Sequence, residues 1–287
     1  MKILVVYNPV SGKKKNIQQS LKKALVAIDY DWLETNTAGD YLDGVVGSIY
    51  QRVIVVGGDG TVHQVANWII KNNYDLVLGI IPQGSANLLA TCFKIPHFLG
   101  PALKIALGAN YQTIDVGLVN KEKYFLIAAG LGYDAWVIKN TKRAWKRLFG
   151  FWAYTVALFQ GLFKLKEANF SLTIDGIRHQ YHAKTVFIMN FGKFLGFNFG
   201  PDISYTDGYL SLAIVRPVKL IDYWIMLGRL IGRQYFWQKR LEYFKFKRLQ
   251  INYNKKVLAQ LDGEDLLLGS PVEIEVVDKK IKIAGKL

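Results

Sequence analysis

RVIVVGGDGTVHQVANWII, residues 52–70, opens with a β-branched run at 53–56 whose composition is that of a fully buried parallel strand. Gly57, Gly58, Asp59, Gly60 and Thr61 follow, and then a segment with helical spacing. Val62, Val65, Ala66 and Ile69 fall at i, i+3, i+4 and i+7, one face of a helix. A strand, a glycine turn and a helix start form a layout that cradles phosphate. Glycines let the backbone approach the anion, and the N–H groups at the helix N-terminus point at it. Asp59 is the unusual member, because a carboxylate among phosphates repels them unless a cation intervenes. It reads as a group for Mg2+ and its water shell, or for a polar substrate group, beside a nucleotide. The plainer reading is an ordinary strand-to-helix turn with an Asp near the helix start.

Working outward, the same unit recurs. Residues 2–7 (KILVVY) predict a strand that ends at Asn8-Pro9-Val10-Ser11-Gly12. Lys13, Lys14 and Lys15 lead into a helix through roughly Ile28, with Ile17, Leu21, Ala24, Leu25 and Ile28 inward. The glycine spacing before the lysines is not that of a P-loop. Residues 31–35 predict the second strand, with Thr35 near its end, and Gly39 and Asp40 lead toward a short helix. Residues 76–81 (LVLGII) predict another buried strand, stopped by Pro82-Gln83-Gly84-Ser85-Ala86-Asn87 before a helix start at Leu88-Leu89-Ala90. Strand–helix alternation implies a parallel sheet whose ligand crevice lies at the carboxyl ends of its strands. Asn8, Thr35, Gly57 to Thr61 and Gly84 to Asn87 all fall there.

From about Thr113 the texture changes. Residues 124–129, 170–174, 185–190, 209–215, 249–251 and 272–277 predict strands separated by Gly, Asn and Asp, which suggests an antiparallel sheet or sandwich. The expected division is an α/β domain at 1–115 and an all-β domain at 116–270. Residues 271–287 are candidates to return to the first domain.

The chain has 287 residues and a formal net charge of +15, with the apolar and aromatic content of a folded protein. Its single cysteine, Cys92, excludes an internal disulfide and reads as a buried thiol. The apolar stretch at the N-terminus is too short for the core of a signal peptide, so a cytoplasmic location is expected. Residues 1–115 hold 10 Lys/Arg against 8 Asp/Glu, so nearly all the positive excess lies further on. Residues 139–166 carry 7 basic groups and no acid, and residues 216–248 carry 9 against Asp222 and Glu242. Both stretches are interleaved with Trp, Phe, Tyr and Leu. Such a pattern suits an anionic membrane surface, and also single-stranded nucleic acid or a plain solvated face. The longest apolar candidate for a span, residues 148–163, is 16 residues long and interrupted by Gly150, Gln160 and Gly161. Spanning takes about 20 apolar residues, so a peripheral contact is expected instead.

Taken in order, Asn8 to Gly12, Gly57 to Thr61 and Pro82 to Asn87 are followed by Ile114-Asp115-Val116-Gly117 and Gly132-Tyr133-Asp134-Ala135. Pro201-Asp202, Asp207-Gly208 and Leu261-Asp262-Gly263-Glu264 complete the set. This ordered set resembles the diacylglycerol kinase catalytic-domain family, which includes bacterial soluble lipid kinases and sphingosine kinases, and the match runs almost from end to end. The resemblance implies a Rossmann-like, NAD-kinase-like nucleotide domain followed by a β-sandwich, with ATP and lipid meeting in the cleft. It implies a lipid kinase dependent on ATP and Mg2+ that phosphorylates a hydroxyl of diacylglycerol or a similar membrane lipid. By position, Asn8, Thr35, Gly57, Gly58, Asp59, Gly60, Thr61, Gly84 and Ser85 would hold the nucleotide, and Asp59 would also organise Mg2+. Glu264 would be the general base, with Asp262 beside it, and Asp115 would support that network. A structural Mg2+ is implied at Asp207, with carbonyls around Ser204 and Tyr209.

The expected partners are the lipid substrate and an anionic membrane surface met through 139–166 and 216–248, without nucleic acid; a homodimer is left open. Two positions depart from the pattern. His63-Gln64 stands where many relatives place a Glu, and Gly-Ser-Ala-Asn-Leu where many bacterial members have Gly-Thr-x-Asn-Asp. The alternatives are a soluble NAD-kinase-like enzyme and a non-catalytic, nucleotide-sensing membrane-binding protein.

Overall fold

A computed structural model of the chain describes residues 2–11, 17–36, 41–131, 168–183, 185–191, 193–194, 197–198, 203–216, 241–253, 257–262 and 264–285. The expected basic segment 139–166, and residues 217–240 of the other, lie outside the described residues. The chain forms two compact units, Met1–Ile114 with Lys279–Leu287, and Asp115–Asp278.

The first unit is α/β. Its elements are β1 (Ile3–Tyr7), α1 (Ile17–Ala24), β2 (Tyr30–Glu34), β3 (Arg52–Gly57), α2 (Asp59–Lys71), β4 (Val77–Pro82), α3 (Leu88–Cys92) and α4 (Leu99–Leu107). The strands lie in the order β2-β1-β3-β4, all parallel. Every residue of β1 and β3 is buried, which is why both read as unbroken apolar runs and not as alternations. Helix α2 buries Val62, Val65, Ala66 and Ile69, the face its spacing predicts. Helix α1 stops at Ala24, short of the expected Ile28, and a turn closed by the Ile28 N–H on the Leu25 carbonyl follows it. Residues 37–40 lie outside the described residues; beyond them comes a single 3-10 turn at Gly47–Ile49. At the opposite end of the sheet from the strands' carboxyl ends, the buried Arg52 side chain donates to the carbonyls of Ala106 and Gly108. A cation there answers the C-terminal end of α4, and burial lowers its pKa.

The second unit is all-β. After β5 (Tyr111–Val119) come β6 (Lys123–Phe125), β7 (Ala128–Leu131), β8 (Ala168–Ile174), β9 (Ile177–Ala183), β10 (Thr185–Met189), β11 (Lys193–Phe194) and β12 (Phe197–Asn198). They continue with β13 (Leu210–Val215), β14 (Leu241–Phe246), β15 (Arg248–Tyr253), β16 (Val257–Leu261), β17 (Glu264–Leu268) and β18 (Val272–Ala284). One antiparallel sheet runs β14-β13-β10-β7-β16-β17. In the other, β9, β8, β15 and the first half of β18 are also antiparallel neighbours. One apolar cluster lies between the two layers, with Val186, Ile188, Leu212 and Phe246 from the first and Phe170, Leu172, Leu249 and Ile274 from the second. The alternating burial of β8 and β15 is that of strands packed on one face. The second half of β18 belongs to the first unit, where Lys282 and Ile283 pair in parallel with Val77 and Leu78 of β4. The architecture is thus a parallel α/β unit and an antiparallel sandwich.

Residues 124–129 are not one strand as expected. Leu126 and Ile127 separate β6 from β7, because their N–H groups turn toward a side chain, Asp262, and away from a ladder.

Candidate active site

In the first unit the polar turns after β1, β3 and β4 lie side by side at the carboxyl edge of the sheet, as the register of those strands requires. Asn8 organises the first turn. Its Oδ1 accepts the N–H groups of Val10 (3.0 Å) and Ser11 (3.2 Å), and its Nδ2 donates to Thr61 Oγ1 at 2.8 Å. Thr61 is buried, so this bond braces the first turn against the start of α2. Thr35 follows β2 and extends its pairing, its N–H donating to the Tyr7 carbonyl at 2.9 Å.

The second and third turns approach backbone to backbone. A Cβ at Gly84 would come 2.6 Å from the Gly58 Cα, and one at Gly58 would come 3.1 Å from the Gly84 Cα. No side chain fits at Gly84, and one at Gly58 would push the turns apart. That closeness is the physical reason for the two glycines. Gln83 N–H donates to the Gly57 carbonyl at 2.8 Å on the same seam. Asp59 completes it: Oδ2 accepts the N–H of Asn87 at 2.8 Å and Oδ1 that of Leu88 at 2.5 Å. The carboxylate therefore caps the first turn of α3 from another loop, a role for which the plain run Gly-Asp-Gly carries no signal.

Asn87, which the sequence places in this turn without a role, is its hub. It is buried, takes a left-handed backbone (φ 49°), and locks the turn by accepting the Gly84 N–H on Oδ1 and donating from Nδ2 to the Gly84 carbonyl, both at 2.8 Å. Asn tolerates that backbone region better than most residues, which is the one trace it leaves in the sequence. Ser85 stands exposed on this turn, and Gly60 lies in the first turn of α2. Gly58, the N-cap of α2, brings no side-chain cap to that helix. The departure at Gln64 also has a structural use. Its Oε1 accepts the hydroxyl of the buried Tyr41 at 2.8 Å, while His63 lies within 3.2 Å of Asn67 on its own helix. Burial pushes the Tyr41 hydroxyl up to about 12.

In the second unit the predicted acidic residues have separate tasks. Asp262 is buried at a left-handed position (φ 49°) in the turn joining β16 to β17, where Leu261 pairs with Glu264. Its carboxylate accepts three consecutive N–H groups: Leu126 at 2.7 Å on Oδ2, with Ile127 at 2.8 Å and Ala128 at 2.9 Å on Oδ1. Asp262 is thus a clamp on the β6–β7 link. Glu264 opens β17 on the far side of that clamped turn.

Asp115 is also buried. Its N–H donates to the Tyr205 carbonyl and its Oδ2 accepts the Gly208 N–H, each at 2.7 Å. Asn190, fully buried, donates from Nδ2 to the carbonyls of Asp115 (2.8 Å) and Leu126 (2.9 Å). Asp115, Asn190, residues 126–128 and Asp262 therefore form one polar network inside the apolar sandwich. Asp115 and Asp262 stand in the motifs of the sequence; the one trace of Asn190 there is the polar break it makes after the apolar run of β10. The structure also brings Asp115 to the loop predicted to bind a metal. There Asp207 accepts the Tyr209 N–H (3.1 Å) and the Lys245 ammonium (2.8 Å), and the Ser204 hydroxyl lies 3.2 Å from that of Thr206.

Compared with known proteins, residues 2–119 match the family described as the diacylglycerol kinase catalytic domain, and residues 127–285 match the YegS C-terminal NAD kinase beta sandwich-like domain. A diacylglycerol kinase of Staphylococcus aureus (strain bovine RF122 / ET3-1) is 27% identical over 269 residues, 91% of this chain and 85% of that protein. Among solved structures, a diacylglycerol kinase from Bacillus anthracis str. Sterne has a TM-score of 0.76 at 22% identity, covering 99% of this chain and 97% of the other. An NAD kinase from Archaeoglobus fulgidus, solved in complex with ATP, has a TM-score of 0.55 at 12% identity, covering 100% and 94%. At such identities the two structures speak to the fold alone.

Proposed function

This chain belongs to the diacylglycerol kinase catalytic-domain family, and from that premise we propose that it is a lipid kinase that moves the γ-phosphoryl group of ATP onto a hydroxyl of diacylglycerol or a similar membrane lipid. The observation that carries the reading is the seam at Gly58 and Gly84. Two backbone turns meet there without side chains between them, beside the N-terminus of α2. That is a surface for phosphate.

In this reading Asn8, Thr35, Gly57 to Thr61, Gly84 and Ser85 bind and orient the nucleotide. Asp59 would hold Mg2+ through the lone pairs its oxygens do not give to Asn87 and Leu88. When bound, that ion neutralises charge on the phosphates. The lipid oxygen forms a bond to the γ-phosphorus as the bond from that phosphorus to the β–γ bridging oxygen breaks. The hydroxyl proton passes to the Glu264 carboxylate, and ADP departs. Phosphoryl transfer asks little more of a protein than positioning, charge stabilisation and an acceptor for one proton. Asp262 and Asp115 serve as positioning residues, the first by fixing the turn that leads into Glu264.

The test is transfer of label from ATP, with Mg2+, to diacylglycerol, monoacylglycerol, phosphatidylglycerol, ceramide and sphingosine in mixed micelles, with NAD as a soluble control. A labelled lipid supports the reading and names the acceptor. Label on NAD alone contradicts it.

A further inference from the structure

The family resemblance implies a Mg2+ ion on the second unit, at Asp207 with carbonyls around Ser204 and Tyr209, and the residues of that loop do not fit one. Asp207 Oδ1 accepts the Tyr209 N–H at 3.1 Å, and Oδ2 faces the Lys245 ammonium at 2.8 Å. A second ammonium, that of Lys247, lies over the Tyr209 ring, 5.1 Å from its centroid. A divalent cation at Asp207 would enter the field of both lysines and would have to displace the nearer one. Mg2+ takes six oxygens in near-octahedral array, several of them water. Here the Tyr205 carbonyl already accepts the Asp115 N–H at 2.7 Å, and the Ser204 hydroxyl lies 3.2 Å from that of Thr206. Among the described residues, no three acidic, His or Cys side chains converge as a metal cluster.

The loop has ties enough without an ion. Asp115 holds it from within through Tyr205 and Gly208. Phe191 stacks on Tyr205 with centroids 5.3 Å apart and planes 12° apart. Lys245 then closes it from outside, its place fixed by the register of β14, where it pairs with Ser211 of β13. We infer that Lys245 stands in for the divalent ion: its ammonium is the cation of this loop, and the second unit keeps its fold without metal. The pair is partly exposed, with side chains 42% and 27% accessible for Lys245 and Asp207. Its own strength is therefore modest; its effect is to occupy the carboxylate.

The experiment is thermal unfolding of the full chain without nucleotide, in millimolar Mg2+ and in EDTA, for the wild type, Asp207→Asn and Lys245→Met. Asp207→Asn keeps an acceptor for the Tyr209 N–H and so retains the turn. The expected result is one wild-type midpoint in both buffers. A Mg2+-dependent rise appearing only in Lys245→Met, where the carboxylate is released, would support the inference further. Mg2+ held tightly at a native site would lift the midpoint by about 5 °C or more. A wild-type rise of that size that vanishes in Asp207→Asn overturns the inference. A rise that persists in Asp207→Asn places the ion elsewhere and leaves Lys245 in its role.

Discussion

Asp59, at the start of α2, and Asp262, in a turn, each stand before a glycine, and each carboxylate accepts backbone N–H groups of a neighbouring segment. Their consequences differ. Asp59 joins two loops at a sheet edge. Asp262 is buried and answers three donors, of which those of Leu126 and Ile127 are buried as well. Removing a partner from a buried donor costs about 1–3 kcal/mol for each group stranded. Asp262→Ala should therefore lower stability by roughly 3 kcal/mol or more in denaturant unfolding, by the same rule. Gly84→Ala should act on the other side of the chemistry. Its methyl group, 2.6 Å from the Gly58 Cα, forces the phosphate turns apart. ATP affinity measured by calorimetry should fall about tenfold or more, equivalent to about 1.4 kcal/mol. The turns that carry the glycines, Asn8 and Asp59 were legible because each lies between two strongly patterned elements. The tasks of Asp262, Asn87 and Asn190 were not, because their partners are backbone atoms, which are the same at every position.

The elements that read well are those buried throughout or cleanly periodic: β1, β3, β4 and α2. Those that read poorly are short, polar or edge strands. Strand β9, IRHQYHA, leaves most of its residues partly or fully exposed and pairs only with β8 among the described residues, so no apolar run marks it. Residues 124–129 read as one strand because their composition is apolar throughout; the break at Leu126 and Ile127 is imposed from Asp262, far along the chain. The helix α2 carries a prediction of its own through Gln64, which binds Tyr41. Burial holds the Tyr41 hydroxyl at about 12 against an ordinary 10.0. Between those values the folded chain keeps a proton that the unfolded chain releases. The resulting stability is complete below about pH 10 and declines as pH rises toward about 12. Unfolding midpoints measured across that window should fall less steeply for Tyr41→Phe than for the wild type.

For the whole molecule, the division of labour follows from composition as well as from fold. Residues 1–115, which supply the loops of the proposed nucleotide site, are near balance in charge, and the positive excess lies beyond them. Among the described residues no helix is long and apolar enough to cross a membrane. The proposed contact with the lipid surface rests on the basic, aromatic-rich stretches 139–166 and 216–248, whose composition suits an electrostatic, interfacial contact. Binding to vesicles should rise with their anionic lipid content and fall as salt screens the basic side chains. Sedimentation with vesicles of graded composition checks this, and binding indifferent to both variables would remove the membrane from the account. The two-unit plan was legible because a change from strand–helix alternation to successive strands is a change of period. The return of the last residues to the first unit was readable only as a candidate, since pairing partners so distant in sequence leave no local mark.

The most direct measurement is a single turnover of ATP with micellar diacylglycerol, comparing the wild type with Glu264→Gln while ATP affinity is measured on both. The expected result is unchanged ATP affinity and loss of phosphoryl transfer in Glu264→Gln. Transfer at a near-normal rate in that variant, or none by the wild type to any lipid offered, would contradict it.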